Sequence, residues 1–190
     1  MKLSFLKPIA LSLITIFALN SCRNDEAPED IHNHDEVQYL TVKLTNQADS
    51  TEVQTSTFKA GGADQLITLK NGAVYNVELS LSEPHGDHTH DVTDEIIEEK
   101  EEHFFTYRFA NVQVKVKRTD LAETTRKDGT KVGLKTQWTV VSAPEKGAKV
   151  NVILHHKPAS VTVADAQGDE AGTAKGGEED IDAIFDVKTK

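Results

Sequence analysis

The residues best equipped for chemistry sit close together in one stretch, Pro84-His85-Gly86-Asp87-His88-Thr89-His90-Asp91, where three imidazoles and two carboxylates fall within eight positions. Imidazole and carboxylate suit zinc, nickel and Cu(II), and zinc is the favoured ion. Beyond Met1 the chain has no methionine, and its single cysteine lies far away, so the soft ligands that Cu(I) prefers are missing. In an extended segment His88 and His90, two positions apart, point the same way, and a bend at Gly86 brings His85 back toward them. The flanking Pro84 and Gly86 read as a mobile loop. The segment that follows, Val92 to His103, reads as a short acidic helix, with Asp91 or Thr93 as cap and Asp94 and Glu95 in the first turn. On that helix Glu95, Glu99 and Glu102 share a face, and Glu99 and His103 stand one turn apart. The candidate metal ligands are therefore His85, Asp87, His88, His90 and Asp91, with Glu99 or His103 completing the shell.

Plainer readings exist for each feature. A histidine-rich loop is also what a solvated insertion looks like, and like charges one turn apart on a helix usually mark a solvated face. His155 and His156 close an apolar stretch, and alternation puts His156 on the side of Val150, Val152 and Leu154, where a neutral, hydrogen-bonded imidazole is ordinary. His32 and His34 are incidental. Asp165, Asp169, Glu170 and Glu178 lack the fixed oxygen spacing of an EF-hand loop. Nothing suggests catalysis: there is no glycine-rich phosphate loop, no serine in a nucleophile elbow and no His-Glu-x-x-His helix. We therefore expect no enzyme.

The elements that must carry these residues are strands. Leu40, Val42 and Leu44 alternate with Thr41, Lys43 and Thr45, and Tyr75, Val77, Leu79 and Leu81 alternate with polar neighbours. The same period of two runs through 105–109, 112–117, 134–141 around Trp138, 150–156 and 181–187, which describes half-buried antiparallel strands. Gly61-Gly62, Asn71-Gly72, Asp128-Gly129 and Lys146-Gly147 supply the turns between them. Many short strands with one short acidic helix or loop insertion predict an all-β, immunoglobulin-like antiparallel sandwich, with a closed barrel as the alternative. Trp138 is expected in its core. The polar, glycine-rich stretch from Gln167 to Glu179 reads as a flexible connection before the last strand.

The N-terminus reads as an address. Lys2 and Lys7 precede an apolar run from Ile9 to Leu19, too short to span a bilayer, and Leu19-Asn20-Ser21-Cys22 closes it. This pattern resembles a lipoprotein signal peptide over residues 1–21, with Cys22 acylated and left as the new N-terminus. Residues 22–36 are then an acidic tether too polar to pack, and 37–190 a single domain. Several acyl chains on Cys22 would anchor the protein to a membrane without spanning it. The whole chain has 21 Lys and Arg against 31 Asp and Glu; removing Lys2 and Lys7 with the leader takes the net charge from −10 to −12. Such a surface disfavours nucleic acid and favours cations or basic partners. The acidic residues directly after Cys22 resemble the surface-export signals of Bacteroidota lipoproteins, so the expected place is the outer membrane, on its periplasmic face or at the cell surface.

Three stretches carry a wider likeness: Ile96-Ile97-Glu98-Glu99-Lys100-Glu101-Glu102-His103-Phe104-Phe105, Asp128-Gly129-Thr130-Lys131-Val132-Gly133-Leu134-Lys135-Thr136-Gln137-Trp138, and Val152-Ile153-Leu154-His155 before a Gly/Asp-rich loop and a final Asp182-to-Val187 strand. In order and length they resemble a group of poorly characterised Bacteroidota lipoproteins. The resemblance implies an Ig-like domain at the outer membrane, often associated with TonB-dependent receptors, and implies no catalytic residues. The His85–His90 cluster lies outside the likeness. Two functions follow as expectations: a lipoprotein that captures a divalent metal and presents it to a receptor, or a docking or structural module that uses its sheet and acidic loops without metal.

Overall fold

The computed structural model describes residues 39–190. The leader, Cys22, and the tether with His32 and His34 lie outside the described residues. The described chain is an all-β sandwich. Its larger sheet joins β3 (Gly62–Ala63), β2 (Val53–Lys59), β1 (Tyr39–Asn46), β5 (Val74–His85), β9 (Lys135–Val140) and β8 (Val114–Arg118) in that order, and β6 (His88–Asp91) pairs with the far end of β5. The smaller sheet runs β4 (Ile67–Leu69), β13 (Glu178–Thr189), β10 (Lys149–His156), β7 (His103–Ala110), with β4 parallel to β13 and the other pairs antiparallel. A separate two-stranded ribbon, β11 (Ser160–Thr162) with β12 (Thr173–Lys175), interrupts the connection between β10 and β13. None of the described helices is long and apolar enough to cross a membrane.

Period-two alternation builds the core as the sequence suggests. Leu40, Val42 and Leu44 from β1 meet Val150, Val152 and Leu154 from β10 and Ala183 and Phe185 from β13 in one continuous cluster. Trp138 is fully buried there, edge-on to Tyr107 at 5.8 Å and to Phe109 at 5.1 Å between ring centroids. Such perpendicular pairs add attraction beyond the area buried.

Two expectations for loops fail for physical reasons. Ser82 to Asp91 is not a mobile loop but a β-hairpin, because β5 runs on past the sandwich and Gly86-Asp87 turns it back, with Gly86 at φ +64°. A positive φ is free of strain only for glycine. The stretch from Gln167 is not a flexible connection either. Arg118, inward-facing at the end of β8 and fully buried, donates through Nε to Glu170 O at 3.0 Å, through Nη1 to Lys131 O and Val132 O, and through Nη2 to Phe105 O and Ala171 O. All five guanidinium donors thus reach backbone carbonyls, and the cation sits 4.2 Å from the centroid of the Phe104 ring. The loop answers with its own side chains: Asp169 Oδ1 accepts from Val116 N, and Glu170 Oε2 from Arg118 N at 2.6 Å. Segment 169–171 therefore bridges the open edges of β7 and β8.

The helix is shorter than its charge pattern suggests. α1 covers Thr93–Glu98, with Asp94 and Glu95 in its first turn as expected and Ile96 buried. Glu99 is its C-cap and Glu102 lies beyond it in a turn, so Glu95, Glu99 and Glu102 do not form one helical face. No basic residue stands in the last turn to offset the carboxylates, which helps to explain the early end.

Candidate metal centre

The register of the hairpin decides which side chains share a face. His85 pairs with His88 and Glu83 with His90, and directly opposed residues in an antiparallel ladder project to the same side. Glu83, His85, His88 and His90 therefore stand on one face. The His85 and His88 rings lie 5.3 Å apart between centroids, and His90 Nε2 reaches to 3.8 Å from Glu95 Oε1 on α1. His85, His88 and His90 are exposed, and Pro84, with no amide hydrogen, is tolerated because this part of β5 extends beyond the main sheet.

Three of the residues expected in this set are elsewhere. Asp91 pairs with Ser82, so it faces the opposite side, and its Oδ1 accepts the Thr93 N–H at 2.8 Å; the N-cap of α1 is Val92, with no side-chain cap bond, so neither Asp91 nor Thr93 caps the helix as expected. Glu99 and His103 belong to another cluster, at the foot of the smaller sheet. Asp87 stays at the turn, with Oδ1 3.2 Å from His88 Nδ1. Glu83 instead shares the histidine face and Glu95 approaches it from α1; a reading of residue types alone does not place either there, since only the register and the position of α1 bring them in.

The second cluster is buried. His103 and His156 are direct cross-strand partners of β7 and β10, and their rings stack at 5.0 Å with 12° between planes. Between Leu154 and His155 the β10–β13 register shifts: Leu154 pairs with Ile181 and His155 with Glu179, which leaves Asp180 as an extra residue. A bulge of this kind re-aims a side chain. Here the Asp180 carboxylate lies 3.4 Å from His103 Nε2 through Oδ2 and 3.8 Å from His156 Nδ1 through Oδ1. The far nitrogens are also engaged: His103 Nδ1 is 3.1 Å from Glu99 O, and His156 Nε2 is 3.3 Å from Glu102 Oε2. The hydrogen bond from Lys157 at 3.0 Å, helped by His156, holds the Glu102 carboxyl below its usual range against partial burial. His155 points to the other side of the sheet, 2.9 Å from Thr106 Oγ1, and burial lowers its pKa.

Alternation had placed His156 on the inward side, where it is; Asp180 carried no signal, because a bulge is invisible to a period of two. In the acidic group further on, Asp165 Oδ1 accepts the amides of Gln167 and Asp169, so it serves its own turn, and Glu178 lies in β13 opposite His156. Among the described residues, no three or more His, Cys, Asp and Glu side chains are gathered closely enough to hold a metal ion as they stand. Set beside known proteins, the chain matches no family model, no curated protein and no solved structure.

Proposed function

We propose that this protein is a membrane-anchored, non-enzymatic lipoprotein whose β5–β6 hairpin captures a divalent transition ion, zinc by preference. The observation that carries the reading is the hairpin register, which lines Glu83, His85, His88 and His90 along one face with Glu95 close by. Neutral imidazoles so arranged need only side-chain rotation to converge on an ion, and their exposure favours capture and release over storage. Asp91, Glu99 and His103 are left out of this set. An anchor at Cys22 would hold the domain at an outer membrane, where a receptor of the TonB-dependent kind is the expected partner. The pairing orders β1-β5-β9-β8 and β13-β10-β7 support the immunoglobulin-like reading that the resemblance implies, with β2, β3 and β4 as additions at the sheet edges.

The test is a titration of Zn(II) into the full chain and into a variant with His85, His88 and His90 all changed to Ala. The variant should take up one ion fewer per chain. Equal stoichiometry and affinity in both would remove the hairpin from the account and leave a docking module in its place. Cys22→Ser should abolish palmitate labelling, and labelling at the parental level would refute the anchor.

A further inference from the structure

We infer that a divalent ion at the tip of the hairpin is shared between two copies of this chain, each contributing the imidazoles of His85 and His88, so that the protein pairs through the metal. The inference rests on the hairpin reading above and names what completes that site. His85 and His88 are direct cross-strand partners on either side of the turn Gly86-Asp87, and their rings lie 5.3 Å apart between centroids, tilted by 45° to one another. A tetrahedral zinc ion with bonds of about 2.0–2.1 Å to two imidazole nitrogens, each about 1.1 Å from its ring centre, sets those centres about 5.2 Å apart. The pair already stands at chelating separation. Asp87 Oδ1, 3.2 Å from His88 Nδ1, can only accept, so the proton sits on Nδ1 and Nε2 is the coordinating nitrogen. Metal-bound histidines are oriented in this way by their outer partners.

Two nitrogens fill half of a tetrahedral shell. Within one chain the other half is not at hand: among the described residues no third His, Cys, Asp or Glu side chain is gathered with the pair closely enough to hold an ion. The next row of the same face, Glu83 with His90, stands two residues further from the turn, about 6.7 Å along the strand, and His90 Nε2 lies 3.8 Å from Glu95 Oε1. A second copy brings the same pair at the same spacing. The tip can be reached, since residues 85–88 are exposed and a Cβ added at Gly86 would meet nothing within 4 Å. Without an ion two tips repel, because each carries Glu83, Asp87 and Asp91, with Asp94 and Glu95 behind them on α1, in a chain of net charge −10. A divalent cation joins the imidazoles and offsets part of this charge, so pairing is conditional on metal. Sharing also has a signature in mass action. Scarce ions are each held by two copies, whereas in excess every copy takes its own ion, water fills the open positions and the pairs separate.

The experiment uses the full chain with Cys22→Ser, so that neither acyl chains nor a thiol takes part, and follows sedimentation velocity through a titration with Zn(II). Dimer should be absent without metal, reach its maximum near half an equivalent and fall again when Zn(II) is in large excess. Co(II) at half an equivalent should show the strong visible d–d absorption of a four-coordinate site, and the intensity per ion should drop in excess. His85→Ala and His88→Ala lie at exposed positions where the fold is not at stake, and each removes two of the four ligands. Either should weaken metal-dependent association at least about 100-fold, more than the loss of an outer partner does. A chain that binds Zn(II) by calorimetry yet stays monomeric at half an equivalent overturns the shared site and leaves the hairpin reading standing, with the rest of the shell drawn from its own chain or water. No Zn(II) binding at all overturns both. A dimer present without metal, persistent in excess Zn(II), or undiminished in His85→Ala and His88→Ala places the contact elsewhere and overturns the inference equally.

Discussion

The hairpin of Ser82 to Asp91 and the segment of Asp165 to Gly172 are written in similar residues, polar and rich in Asp and Gly, yet they have opposite structural roles. The hairpin projects from the sheet, and a Cβ added at Gly86 would meet nothing within 4 Å. The segment lies against Arg118, and a Cβ added at Gly172 would run into Arg118 Nη2 and the Phe104 ring. Both glycines have positive φ, +64° and +81°, so the difference lies in their surroundings and not in their backbones. Composition marks a segment as turn-forming; a partner elsewhere in the chain decides whether it is also fastened.

The strongest way to break this contrast is to remove the fastening. Arg118→Met keeps the apolar stem but removes a donor from five carbonyls; those of Val132 and Ala171 keep the amides of Phe105 and Tyr107, while those of Phe105, Lys131 and Glu170 lose their side-chain donor. Each buried group so stranded costs on the order of 1–3 kcal/mol, with partial recovery by water, so urea unfolding should show a loss of at least about 4 kcal/mol. Hydrogen exchange at Ala171 and Asp169 should rise with it. A loss below about 1 kcal/mol would mean that the segment is held by something other than the guanidinium.

Substituting the two glycines sharpens the same point. Gly172→Ala adds left-handed strain and displaces Arg118, and should cost roughly 2–3 kcal/mol. Gly86→Ala adds the strain alone, about 1 kcal/mol, because nothing occupies the space. The measurement is the difference in unfolding free energy between the two variants. Equal costs would show that backbone conformation, and not the Arg118 contact, sets both.

Much of the sandwich could be read from alternation, because a period of two follows directly from which face of a strand is buried. Leu40 to Leu44, Tyr75 to Leu81 and the burial of Trp138 are of this kind. Arg118 was missed although it stands on the same period: Val114 and Val116 point inward, and the next inward position is an arginine, which residue-type reasoning assigns to solvent. The metal-binding candidates were legible as residues but not as sets. Gly86-Asp87 is turn grammar, and once the turn is placed the register puts Glu83 beside the histidines and Asp91 behind them. Asp180 reaches His103 only through a bulge, a tertiary compromise between β10 and β13 that leaves no mark in local sequence.

The smallest expected effect concerns Asp120, the carboxylate nearest to the Arg118 arrangement in chain and charge. Its Oδ1 accepts the amides of Gly133 and Leu134 at 3.0 Å each, and Arg118 favours its ionised form; burial nonetheless outweighs these pulls and raises its pKa above the ordinary carboxylate value. A raised carboxyl in the folded state means that the native protein holds this proton more tightly than the unfolded chain does. Its contribution to stability is then fully present below the unfolded value, about 3.9, and is lost as pH rises through the folded value. Asp120→Asn keeps an oxygen for both amides and cannot titrate. The stability of the parent relative to Asp120→Asn should therefore decline with rising pH across the carboxylate range and level off above it, measured by urea unfolding of both proteins from pH 3.5 to pH 7. If the parent instead gains on the variant as pH rises, the attraction of Arg118 exceeds the cost of burial, and the fastening would then include an ion pair as well as the five carbonyl contacts.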